Sequence, residues 1–143
     1  MKTSWKLSRR AMLGLATLAL GIAASPFVLA DGGGSSTRLK TRLSGAAIDG
    51  KTPSGSAEFR MDTPSRTRLE VEVENVNLAA GTLLDVIITH NAVETNAGQI
   101  KLSSLGTGEL ELDSQKGQIV PPVVKGDTVT VKNGVAAILA GAF

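Results

Sequence analysis

The sequence has no cysteine and no tyrosine, and a single histidine among its 143 residues. Without cysteine there is no disulfide, no thiolate nucleophile, no cysteine-ligated metal and no lipidated cysteine. Zinc takes several histidine or cysteine ligands, which one histidine cannot supply. Aromatic rings are as scarce. Trp5 and Phe27 fall in the N-terminal segment, so residues 31–143 keep only Phe59 and Phe143. That leaves no Trp or Tyr on which a sugar ring could stack. Positive charge is also short once the chain is divided. The first 30 residues hold Lys2, Lys6, Arg9 and Arg10 and no acid, so the 15 basic and 13 acidic residues of the whole become 11 and 13 beyond them. The remainder is slightly acidic and offers no basic patch of the kind nucleic acid requires.

What the N-terminal segment does have is order. A basic end, Met1 to Arg10, precedes an apolar or small-residue stretch, Ala11 to Ala24, and Val28-Leu29-Ala30 follows. These are the three parts of a secretory signal peptide. Cleavage is expected between Ala30 and Asp31; a cut after Ser25 would leave Pro26 beyond the scissile bond. Retention as an anchor is the competing reading, because residues 11–30 have about the length that spans a bilayer. Pro26 and the small residues Gly14, Thr17 and Gly21 weaken that helix. The expected organisation is a signal peptide helix at 1–30, a flexible Gly/Ser leader at 31–37 and one β-domain at 38–143.

Ser8-Arg9-Arg10-Ala11-Met12-Leu13 resembles the twin-arginine export motif, Ser/Thr-Arg-Arg-x followed by two apolar residues. Met12 stands where that motif usually has Phe. The resemblance covers the first 13 residues and implies folding before export; an ordinary Sec signal that happens to hold Arg9 and Arg10 is the alternative. Either route places the mature chain in the periplasm or outside the cell.

Period-two alternation dominates residues 38–143. Leu39, Thr41 and Leu43 alternate with Lys40 and Arg42; Ala57, Phe59 and Met61 alternate with Glu58, Arg60 and Asp62. From Arg66 to Val76, Leu69, Val71 and Val73 face one way and Glu70, Glu72 and Glu74 the other. A slip of one residue would bury those charges, so the register is firmly specified. Thr82–Thr89 is apolar on both faces and reads as a central strand. Residues His90 to Gly98, rich in Asn, Ala and Gly, read as a loop. Ile100 and Leu102 make a short strand, Glu109–Asp113 another, and Val129 and Val131 a third. Asn133-Gly134 has the chemistry of a type I′ hairpin turn, and Val135–Phe143 closes the domain. The pattern predicts an all-β fold, an antiparallel β-sandwich or small barrel of about eight short strands.

The chain also resembles a loose group of small secreted bacterial β-domains without assigned activity. The residues that carry this are Val76-Asn-Leu-Ala-Ala-Gly-Thr-Leu-Leu-Asp-Val86, Gly108-Glu-Leu-Glu-Leu112, Gly117-Gln-Ile-Val-Pro121 and Ile138-Leu-Ala-Gly-Ala-Phe143. The resemblance implies the fold and export and no more.

Chemistry is thinly supplied. His90 extends the Leu84, Val86, Ile88 face or opens the following loop, and is the one weak candidate site. A triad would bring it a serine and a carboxylate, but no Gly-x-Ser-x-Gly motif is present. The rows Glu70, Glu72, Glu74 and Glu109, Glu111, Asp113 have the carboxylates for glycoside or calcium chemistry. Their spacing of two, opposite Leu and Val, reads instead as a solvated sheet face. No loop of the phosphate-cradling kind precedes a helix. The expectation is therefore a non-enzymatic exported domain with a structural or protein-interaction role, no cofactor, no nucleic acid and no membrane after cleavage. Its partner, which a second copy of the chain would satisfy, would use sheet edges, the His90–Gly98 segment or the Gln115–Gly126 connection. The alternatives are a small-ligand carrier, with a void lined by Leu84, Val86, Ile88 and Ile100, and a small hydrolase using His90.

Overall fold

The computed structural model describes residues 36–63 and 65–143. The expected signal peptide, its Arg9 and Arg10, and the expected Ala30–Asp31 cut lie outside them. Eight strands form: β1 Thr37–Ser44, β2 Ser54–Thr63, β3 Arg66–Glu74, β4 Leu83–His90, β5 Val93–Lys101, β6 Gly108–Asp113, β7 Thr128–Asn133 and β8 Ala136–Ala142. They make one antiparallel sheet in the order β5-β4-β7-β8-β1-β2-β3-β6, curled into a nearly closed barrel. Among the described residues no helix is long and apolar enough to cross a membrane.

The barrel is two four-stranded halves with unequal joints. Inside each half the registers run long, as in the eight pairs from Thr37↔Met61 to Ser44↔Ser54 that join β1 to β2. Between the halves, β8 meets β1 through the single pair Ser44↔Ala140. On the other side β5 and β6 lie alongside each other without a ladder, and side chains fill the seam. The Leu110 methyls lie 3.0 and 3.2 Å from where a Cβ on Gly98 would be, and the Ile100 Cγ2 occupies the place of a Cβ on Gly108. Glycine at these two positions lets the edges approach.

Alternation delivers one apolar face per strand to the interior. Leu43, Phe59, Leu69, Val71, Val73, Leu84, Val86, Ile88, Ile100, Leu112, Val129, Val131 and Leu139 form one buried cluster. Leu84, Val86, Ile88 and Ile100 are packed into it; of these four, Ile88 also lines the cavity described below, and Leu84, Val86 and Ile100 do not. Met61, expected inside, is 37% exposed, because it stands at the end of β2 opposite Thr37 and Thr67, past the barrel rim.

Other departures have local causes. The β1 strand begins at Thr37, one residue into the expected leader. The β3 strand stops at Glu74, where Asn75 takes a positive φ of 56°; Val76 is buried but outside the ladder. The expected His90–Gly98 loop is instead most of β5, paired to β4 from His90↔Val93 to Leu83↔Lys101. Its composition is that of a turn, but β4 offers a complete edge and that neighbour overrides local preference. A bulge on β5 takes up Ala97, the extra residue between Asn96 and Gly98, which pair with Ile87 and Val86. The β7–β8 hairpin forms, but its loop is Gly134-Val135, since Asn133 pairs with Ala136. Gly134 has φ 62° and neither Asn133 nor Val135 is positive, the pattern of a type II′ turn. The two-positive-φ pattern appears at Asn91 (47°) and Ala92 (64°), which join β4 to β5.

Candidate functional site

At one end of the barrel the β4–β5 hairpin overhangs the core. Its register pairs His90 with Val93 and Ile88 with Thr95, so these four side chains share the inward face. The connection between β6 and β7 crosses in front of them. It leaves β6 through a single 3₁₀ turn, Ser114–Lys116, runs without regular structure through Pro121 and Pro122, and turns at Val124–Asp127 into β7. The turn is closed by Asp127 N–H donating to the Val124 carbonyl at 3.1 Å. Between hairpin and connection lies a cavity of about 450 Å³ lined by Ile88, His90, Asn91, Val93, Thr95, Pro121, Pro122, Val124 and Asp127. Its volume falls in the range of small-molecule sites, and a barrel mouth is a common place for one.

Most of the lining is aliphatic, and its polar groups answer one another. Asp127 is 5% exposed. Its Oδ1 accepts from His90 Nδ1 at 2.6 Å and its Oδ2 from the Val124 amide at 2.9 Å. Burial pushes this carboxyl up, but the Val124 N–H and His90 together hold it below its ordinary value. The His90 ring is 54% exposed, and its Nε2 accepts from Asn91 Nδ2 at 2.9 Å. The carboxylate fixes the proton on Nδ1 and turns Nε2 into an acceptor. The hairpin turn places Asn91 to donate to it.

His90 thus extends the inward face of β4 and stands within reach of a carboxylate in a concave site. Among the described residues no serine lines that site; the hydroxyl present is that of Thr95. The two segments expected to carry binding, 90–98 and 115–126, are brought together here, the first as a hairpin. Asp127, one residue past the second, carries no signal in the sequence that marks it as a site residue. It lies 37 residues from His90, and no period or spacing in the chain links the two.

The acidic rows divide. Glu70, Glu72 and Glu109 lie on the outer face, all exposed, with carboxylate oxygens within 4.8 Å of one another. Burial first, then the neighbouring Glu72 and Glu109, push Glu70 above its ordinary value. Asp113 does not belong to that solvated face. It is 1% exposed, accepts from Arg66 Nη2 at 2.6 Å, and caps the 3₁₀ turn by accepting from the Gln115 amide at 2.9 Å. Arg66, then the Gln115 amide, lower its carboxyl. The strand reaches its end there, and the next turn covers the side chain. No family model matches the chain, and neither does any curated protein or solved structure.

Proposed function

We propose that residues 31–143 form an exported, non-enzymatic binding domain that takes a small ligand in the barrel mouth. One observation carries this: the aliphatic side chains of Val93 (66% exposed) and Val124 (50%) are held open to solvent around a cavity whose buried carboxylate, Asp127, is already paired with His90 and the Val124 amide. Leaving apolar surface in water costs about 25 cal/mol per Å², and a site that covers it on binding gives the exposure a use. This favours the small-ligand alternative over the structural or protein-interaction role expected first from the sequence.

Native mass spectrometry of the protein recovered from the exported fraction tests the reading. The expected spectrum shows a fraction heavier than the chain by one small molecule, lost on denaturation and absent from Val93→Arg. An unliganded chain in both samples would sink it. The His90–Asp127 pair favours a second reading, a hydrolase, since an acceptor nitrogen backed by a carboxylate is the base of a triad. Turnover of short-chain esters that disappears in His90→Ala would support the hydrolase; equal rates in both proteins would dismiss it.

A further inference from the structure

The cavity is chemically lopsided, and that limits what it can hold. Five of its nine lining residues are Ile88, Val93, Pro121, Pro122 and Val124. None is aromatic, so the walls suit a flexible aliphatic chain better than a flat ring. The other side is a single polar corner.

In that corner Asp127 is 5% exposed and each of its oxygens already accepts a hydrogen bond, Oδ1 from His90 and Oδ2 from Val124, so little of the carboxylate is open to a ligand. The ring nitrogen Nδ1 is committed in turn. The remaining ring nitrogen, Nε2, accepts from the amide of Asn91, and both residues line the cavity. Asn91 is exposed and its amide can turn to water. Nε2 cannot find a new direction, because the buried carboxylate fixes the ring. The corner therefore asks for a hydrogen-bond donor. A carboxylate head brings no donor and would stand beside ionised Asp127. An ammonium head brings three donors to a corner where His90 Nε2 is the exchangeable acceptor, and it would give up its hydration among aliphatic walls. An uncharged hydroxyl meets neither objection.

We infer that the barrel mouth binds an uncharged aliphatic alcohol, its chain along Val93, Pro121, Pro122 and Val124 and its hydroxyl donating to His90 Nε2 in place of Asn91. This rests on the binding-domain reading and names its ligand class.

The test is a titration of nitrogen-15-labelled protein from the exported fraction with 1-hexanol, 1-octanol, octyl methyl ether, octanoate and octylamine. The readout is the amide shifts of Val93, Thr95 and Val124. Octanol should saturate these shifts, and affinity should rise about fourfold for each methylene buried between hexanol and octanol. The ether keeps the chain and loses the donor, so it should bind about tenfold more weakly. His90→Leu should weaken octanol by a similar factor and leave the ether unchanged. If the ether, octanoate or octylamine matches octanol, the hydroxyl assignment is wrong while the mouth remains a binding site. If no probe moves the three amides, the alcohol assignment is again rejected, and the binding-domain reading stands or falls on the native mass measurement alone.

Discussion

Glu58 sits on the outer face of β2 with Arg38 and Arg60 donating to its carboxylate. The Arg38 hydrogen bond is the main reason its carboxyl lies at about 2 instead of 4.5; burial opposes this and Arg60 adds to it. A carboxyl lowered by folding stabilises the native state above its ordinary value and loses that contribution as pH falls toward the native one. The melting temperature should therefore fall between about pH 4.5 and pH 2, and fall less steeply in Glu58→Gln. Parallel slopes in the two proteins would contradict the assignment; Asp113 and Asp127 contribute to both. Ala92 is a second residue with a measurable consequence. Its φ of 64° is one that a Cβ opposes by roughly 1–2 kcal/mol. Ala92→Gly should raise the melting temperature by roughly 4 °C in calorimetry, and an unchanged or lower value would show the turn to be unstrained. At this scale the sequence was legible wherever alternation decides. Leu69, Val71, Val73, Leu84, Val86 and Ile88 are buried as expected. It was illegible at strand ends, where Met61 runs past the rim and Asp113 is covered by a following turn.

Element by element, strand neighbours settle what composition leaves open. The β6 strand lies beside β3 with Glu72 opposite Glu109 and Glu70 opposite Glu111. Like charges directly opposite each other on one face are destabilising by a few tenths to about 1 kcal/mol. Glu109→Lys should remove that repulsion and raise the melting temperature in low salt. The gain should shrink as salt screens exposed charges; a gain independent of salt would point to packing. The β5 strand shows the converse case. Nothing in Val93-Glu-Thr-Asn-Ala-Gly-Gln reads as a strand, and β4, legible from its two apolar faces, makes it one. The site followed the same rule. His90 could be named because it continues the β4 face, whereas Asp127 and Asn91 become partners only when β7 and the hairpin turn are placed beside it.

For the whole molecule the sequence supported either a sandwich or a barrel, and the structure draws on both. Each half is a four-stranded sheet, and closure depends on one registered pair at β8–β1 and a side-chain seam at β5–β6. Alternation specifies faces, not which edges meet, so neither joint was legible. The seam makes a prediction about stability. A methyl on Gly108 would run into Ile100 and lie 3.0 Å from the Lys101 carbonyl. Gly108→Ala should destabilise the fold by roughly 1–3 kcal/mol and speed hydrogen exchange at the β5 amides. Loss of stability with unchanged β5 exchange would place the damage elsewhere. The thin β8–β1 joint has a consequence for the order of assembly. The β1, β2 and β3 strands are consecutive and pair with one another, so they can zip together while the rest of the chain is still emerging from the ribosome. The second neighbour of β1 arrives about ninety residues later, and only one pair holds it. Until then β1 stays an open edge on a half-made protein, the surface most exposed to pairing with another nascent chain. Vectorial synthesis gives this fold an early start and a late closure, and the interval between them is when a chaperone would be needed.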